Sequence, residues 1–166
     1  PIPAGVQLLA MVVVAFGSNL GDRERHILAA ADRVAGFLSN FRLSRLIETA
    51  PVGAGLEDDP PYLNAVGVGE SDRPARELYE ALRSIERDAG RTRPYQGAPR
   101  TLDLDLILAG DAVVEETDLH VPHPRFRDRL FVLDPLCEVA PELADPVTRL
   151  TIRELRDRVR EKGPRR

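Results

Sequence analysis

The chain has one lysine, one cysteine and no tryptophan among 166 residues, and each scarcity removes a class of chemistry. Lys162, near the C-terminal end, is the only lysine, so the Gly-rich phosphate turn that depends on a lysine is excluded and Schiff-base chemistry is disfavoured. Any phosphate held by this protein must be held by arginine, histidine, backbone N–H groups or a metal. Cys137 cannot form an internal disulfide; it sits in an apolar run and reads as core filler. With 3 Tyr, 5 Phe and a net charge of −4, the chain lacks the basic stripe and exposed aromatics of a nucleic-acid surface. Long apolar runs are missing too. Leu8 to Phe16 is too short to span a bilayer and lacks the basic flank of a signal peptide, which leads to an expectation of a cytoplasmic protein with no membrane contact.

What remains is ordinary in bulk: 43% hydrophobic and 30% charged residues, enough for one domain with a sizeable core. The informative stretch is Arg100-Thr101-Leu102-Asp103-Leu104-Asp105-Leu106-Ile107-Leu108, whose alternation of apolar and acidic residues predicts a strand. Leu102, Leu104 and Leu106 then face a core, and Asp103 and Asp105 share the other face with origins roughly 6–7 Å apart. Two carboxylates so placed repel unless one protonates or a cation lies between them, and a hard divalent metal suits them. A solvated strand face would carry the same pattern, so the neighbours of the pair must decide.

The segment 1–10 has little pattern and is expected to be an extension of a single domain spanning 11–162. Met11 to Phe16 predicts a buried strand, ended by Gly17-Ser18-Asn19-Leu20-Gly21-Asp22; this turn is either a ligand-binding mouth or a plain connection. Asp22 is placed to cap a helix carried by Ile27, Leu28, Ala31, Val34, Ala35 and Leu38. Arg42 to Glu48 reads as a second strand, followed by a long Gly-, Pro- and acid-rich loop. Tyr62 to Val68 is a third strand with Tyr62 and Asn64 on one face, suited to a flat heterocycle or to a solvated edge. Pro74 opens a second helix built on Leu78, Leu82, Ile85 and Ala89 and closed by Gly90, with Glu86 off its apolar face.

Arg91, Arg93 and Arg100 then lead straight into the acidic strand. Together with Asp103 and Asp105 they match the charge of a metal-bound polyphosphate, although a surface ion-pair cluster would look similar. A weak strand is expected at Ala112 to Val114. The i, i+3 spacing of His120 and His123, without a cysteine or third histidine, is poor support for zinc; His123 between two prolines instead suits a fixed donor to phosphate. Arg125, Arg127 and Arg129 add positive charge, Phe131 to Leu136 is apolar, and Thr151 with Glu154 forms a capping box for a last helix on Ile152, Leu155 and Val159. The order β-α-β-β-α-β with later additions predicts an α+β, ferredoxin-like antiparallel sheet with helices packed on it.

From Val12 to about Leu143 these residues resemble the 6-hydroxymethyl-7,8-dihydropterin pyrophosphokinases of folate biosynthesis. The motifs follow the family's order: Gly17-Ser18-Asn19-Leu20, Thr49-x-Pro51-x-Gly53, Tyr62-Leu63-Asn64-Ala65, Gly90-Arg91-x-Arg93, Pro99-Arg100-Thr101-Leu102-Asp103-Leu104-Asp105, Val121-Pro122-His123 and Pro135-Leu136. The resemblance implies a monomeric enzyme that moves pyrophosphate from ATP to the pterin's hydroxymethyl group and releases AMP. It implies that Asp103 and Asp105 hold two Mg²⁺ ions and, with Arg91 and Arg100, form the catalytic set. Glu86, Arg93, Arg100, His123 and Arg129 correspond to nucleotide contacts, and Thr49, Pro51, Val52, Tyr62, Asn64 and Phe131 to the pterin pocket. No covalent nucleophile is required. A module that keeps the pocket without the catalysis is the alternative. The chain departs from the family at Gln96-Gly97-Ala98, where most members place a Trp and Tyr95 is the nearest aromatic, at Asp118, where some members carry an Arg, and at Pro124, where some carry a Tyr.

Overall fold

The computed structural model describes residues 9–50, 60–90 and 101–163. Its central strands are β1 (Ala10–Ser18) and β4 (Tyr62–Ser71), paired antiparallel along the whole of β1 from Ala10↔Ser71 to Ser18↔Leu63. On the other side of β1 lies β5 (Asp103–Ala109), also antiparallel, with a bulge between Val13 and Val14. Two short strands, β2 (Ser39–Leu43) and β3 (Ile47–Thr49), pair one after the other with β4, giving the order β2-β4-β1-β5 with β3 beside β4. This is the ferredoxin-like arrangement expected from the element order. Among the described residues no helix is long and apolar enough to cross a membrane.

Where one strand was expected over Arg42 to Glu48 there are two, and Ser44 explains the break. Its hydroxyl accepts from Val66 N–H at 2.9 Å and donates to Arg45 O at 2.9 Å, so a side chain takes over one position of the backbone ladder. Local side-chain bonding of this kind competes with regular pairing.

Helices α1 (Arg23–Ala35) and α2 (Ala75–Ala89) cover one face of the sheet. Ile27, Ala30, Ala31 and Val34 of α1 and Leu78, Leu82 and Ile85 of α2 meet Val12, Val14, Phe16, Leu104 and Leu106 in one core. Leu28, assigned to the apolar face by spacing, is 42% exposed, and Ala30 takes the inner position. Each buried leucine contributes about 1.5–3 kcal/mol of apolar burial. Asp22 caps α1 by accepting from Arg25 N–H at 3.2 Å, and α2 starts after Pro74 and ends at Gly90 as predicted.

The chain beyond β5 covers the opposite face. A small ribbon, β6 (Val114–Glu115) with β7 (His120–Val121), lies slightly later than the expected strand at Ala112 to Val114. It leads through a 3-10 turn at Phe126–Asp128 into α3 (Leu130–Val139) and α4 (Ile152–Lys162). Phe126, Val132, Leu133, Leu136, Cys137, Ile152 and Leu155 pack on Val13, Val66, Val68 and Ile107. Thr151 and Glu154 form the predicted capping box. Between α3 and α4, the fully buried Asp145 accepts from Arg127 Nε at 2.5 Å, Thr148 Oγ1 at 2.7 Å and Val147 N–H at 3.1 Å. Burial alone would raise the pKa of this carboxyl, but the bonds from Arg127, Thr148 and Val147 outweigh it and hold it below the usual carboxylate range.

Candidate active site

Strand pairing assembles the site on the face away from α1 and α2. Residues paired across antiparallel strands point the same way, so the register Asn64↔Gly17↔Asp103 makes one row and Ala15↔Asp105 belongs to the next. Leu104, between the two acids, is 5% exposed and points into the opposite core, which puts both carboxylates on the cleft side as the alternation predicted. Gly17 leaves the middle of its row open. A Cβ there would lie 3.3 Å from Asn64 Oδ1, so even an alanine would crowd the amide.

Asn64 is 8% exposed and donates from Nδ2 to Thr49 Oγ1 at 2.6 Å, which turns Oδ1 towards the space above Gly17. The cleft over this floor has a volume of about 890 Å³. It is lined by Thr49 and Tyr62, by Arg129 and Phe131 at the start of α3, and by Arg158, Val159 and Lys162 of α4. The Arg129 guanidinium lies 5.4 Å from the centre of the Phe131 ring. The contribution of α4 escaped sequence reasoning, because a basic pair at i, i+4 on an amphipathic helix has no mark that separates a cleft wall from a solvated face.

His123 stands beside β5, its N–H donating to Ile107 O at 2.9 Å. Its Nδ1 accepts from Arg125 N–H at 3.2 Å, so the neutral ring carries its proton on Nε2. Burial lowers its pKa; the Asp105 carboxylate pulls the other way, Arg129, Arg125 and His120 reinforce the depression, and the net value is below the ordinary one. Glu86 does not line the cleft. Its carboxylate accepts from Leu104 N–H at 3.0 Å and pairs with Arg83 at 3.4 Å, bracing the outer flank of the acidic strand. Asp118 receives two hydrogen bonds from Arg76 at 2.9 Å, and Glu116 binds the same guanidinium. That contact ties the β6–β7 turn to α2, and the hydrogen bonds from Arg76 hold the Asp118 carboxyl below its usual range.

Asp103 and Asp105 offer hard oxygen donors on a shared face, the donor chemistry a divalent cation of the magnesium type requires. Among the described residues no group of three or more His, Cys, Asp and Glu gathers around a common point. The pair therefore fits an ion that completes its shell with water or phosphate oxygen, as Mg²⁺ commonly does. Of the sequence-predicted residues, Thr49, Tyr62, Asn64, Asp103, Asp105, Arg129 and Phe131 line one cleft and His123 stands beside it. Pro51, Val52, Arg91, Arg93 and Arg100 lie outside the described residues.

Residues 13–141 match the family model described as 7,8-dihydro-6-hydroxymethylpterin-pyrophosphokinase. The chain is 40% identical over 138 residues to the 2-amino-4-hydroxy-6-hydroxymethyldihydropteridine pyrophosphokinase of Bacillus subtilis, a match covering 81% of each protein. It is 36% identical over 143 residues to the folic acid synthesis protein fol1 of Pneumocystis carinii, covering 85% of this chain and 19% of that one. Among solved structures, Plasmodium falciparum HPPK-DHPS superposes with a TM-score of 0.70 at 14% identity, over 93% of this chain and 45% of that one, a likeness of fold.

Proposed function

The chain belongs to the 7,8-dihydro-6-hydroxymethylpterin-pyrophosphokinase family, and from that premise we infer how its residues divide the work of the reaction. The activity is pyrophosphoryl transfer in folate biosynthesis, from ATP to 6-hydroxymethyl-7,8-dihydropterin. The hydroxymethyl oxygen attacks the β-phosphorus, the bond from that phosphorus to the α,β-bridging oxygen breaks, AMP departs and the hydroxyl proton is lost. Such a transfer needs alignment and charge stabilisation more than covalent chemistry.

Asn64 reads the polar edge of the heterocycle, held in its rotamer by Thr49, while Tyr62 and Phe131 enclose the ring. Pro51 and Val52 complete the pocket. Asp103 and Asp105 would hold two Mg²⁺ ions, which when bound neutralise the triphosphate and acidify the attacking hydroxyl. Arg91, Arg93, Arg100 and Arg129 orient and neutralise the phosphates, and Glu86 keeps the acidic strand in place on the nucleotide side. His123 serves as an Nε2–H donor to phosphate, because its Nδ1 is already taken up in accepting from Arg125 N–H. We take the working unit to be residues 11–162, a monomer acting in the cytoplasm.

The observation that carries this reading is the row Asn64↔Gly17↔Asp103. It sets the amide and the first carboxylate two strand spacings apart, about 9–10 Å, with an open floor between. A bicyclic ring on the amide can then extend its substituent towards phosphate held at the acids. An AMP-release assay tests it: release is expected only when Mg²⁺, ATP and the hydroxymethyl pterin are all present. Binding of pterin and a non-hydrolysable ATP analogue without AMP release from ATP would instead favour a pocket that has lost its catalysis.

A further inference from the structure

We propose that Arg23, the first residue of α1, is a positioning residue for the pterin pocket, acting as a clamp on the base of the ribbon that carries Thr49, Tyr62 and Asn64. Its guanidinium donates from NH1 to Pro61 O at 2.7 Å and from NH2 to Glu48 Oε2 at 3.3 Å. Pro61 directly precedes Tyr62, and Glu48 directly precedes Thr49. Those two positions face each other in the register Thr49↔Tyr62, where β3 and β4 converge at the ends of the segment 50–61. One side chain thus grips both ends of a long connection at the point where pocket residues begin.

The grip comes from behind. Thr49 pairs with Tyr62 and Ile47 with Asn64, so the pocket side chains share one face of the ribbon; Glu48, paired with Leu63, belongs to the other, where Leu63 packs into the core under α1. Arg23 is itself fixed. Its N–H donates to Gly21 O at 3.0 Å, Gly21 adopts φ +65°, and Asp22 caps the helix that Arg23 starts. The turn from Gly17 to Gly21 therefore connects the floor of the cleft to the clamp that sets its wall. Thr49 and Tyr62 are paired across the ribbon, and the guanidinium ties together the residues that precede each of them. A planar guanidinium can reach a carboxylate and a carbonyl at once, which a lysine ammonium on a flexible stem does poorly.

Energetics separate this role from plain stabilisation. Arg23 and Glu48 side chains are 28% and 57% exposed, so the ion pair contributes little to folding. Its value lies in the placement of Thr49 and Tyr62, where a shift of about 1 Å is felt strongly by a bound ring.

This proposal rests on the pterin pocket assigned above, and the experiment keeps the two apart. Calorimetry with the hydroxymethyl pterin, in the presence of a non-hydrolysable ATP analogue, is run on the full chain and on Arg23→Ala, Arg23→Lys, Glu48→Gln and Asn64→Ala. Arg23→Ala is expected to raise the pterin Kd about fivefold to tenfold, with the affinity for the ATP analogue and the melting temperature nearly unchanged. Arg23→Lys recovers part of the loss, and Glu48→Gln, which keeps the Pro61 bond, moves in the same direction by less. If Asn64→Ala weakens pterin binding and Arg23→Ala does not, the clamp is overturned and the pocket stands. If Arg23→Ala weakens both ligands alike together with the fold, Arg23 is a general structural residue and the clamp is overturned. If Asn64→Ala leaves pterin binding intact, the pocket assignment fails and the clamp falls with it.

Discussion

Asn64 and Asp103 stand in one cross-strand row on the same face of the sheet, with Gly17 between them on β1. On the proposed reading the amide takes the heterocycle and the carboxylate the phosphate side, which would set the reaction above Gly17, the position of that row with no side chain. Four consequences can be measured.

Asp103→Ala and Asp105→Ala should each lower AMP release by at least about 10²–10³-fold, the scale of losing a major electrostatic contact to the transition state. Both side chains line the cleft, so the melting temperature should move little. Wild-type turnover in either variant, measured by AMP release, would remove the metal assignment.

Gly17→Ala places a methyl 3.3 Å from Asn64 Oδ1 and partly fills the floor. Pterin affinity should fall by about tenfold, while ATP-analogue binding stays close to wild type. Titration of each ligand separately checks the split; equal loss of both would mean that the alanine disturbs the sheet as a whole.

Arg100→Ala should lower kcat strongly with a smaller change in pterin affinity, because a guanidinium that neutralises phosphate matters most as charge is redistributed. Steady-state kinetics with both substrates varied reads this directly. An unchanged kcat takes Arg100 out of the mechanism.

Asp145 governs the acid side of stability. Its folded pKa is depressed, so the unfolded chain binds its proton more readily. The stabilisation is complete above the ordinary carboxylate pKa of about 4 and disappears as pH falls through the lower folded value. Asp145→Asn should therefore be less stable than wild type at neutral pH, with the gap in urea midpoint closing towards the acid end. A gap that stays constant with pH would show that the ion pair with Arg127 is not its source.

Much of this molecule could be read in the chain, for reasons specific to certain stretches. The alternation Leu102 to Leu106 has period 2, and the buried leucines leave the aspartates a single face, so the acidic strand was predictable from spacing. Asp22 and the Thr151–Glu154 box are local signals, since the bonds they make lie within one turn. Ser44 was not legible: its hydroxyl replaces a ladder bond to Val66, a partner far along the chain. Nor were the tie between Arg76 and Asp118, or the clamp of Arg23 on Glu48 and Pro61, which join segments distant in sequence. The resemblance puts Glu86 among the nucleotide contacts; that its carboxylate also accepts from Leu104 N–H of β5, 18 residues on, could not be read from spacing.

The break at Ser44 also bears on how the protein keeps to itself. It divides one border of the sheet into runs of 5 and 3 residues. On the other border, Glu86 occupies Leu104 N–H and the His123 backbone occupies Ile107 O. Among the described residues both margins are thus interrupted, one by its division into short strands and the other by contacts at Leu104 and Ile107, and such interruptions work against edge-to-edge pairing with a stray strand.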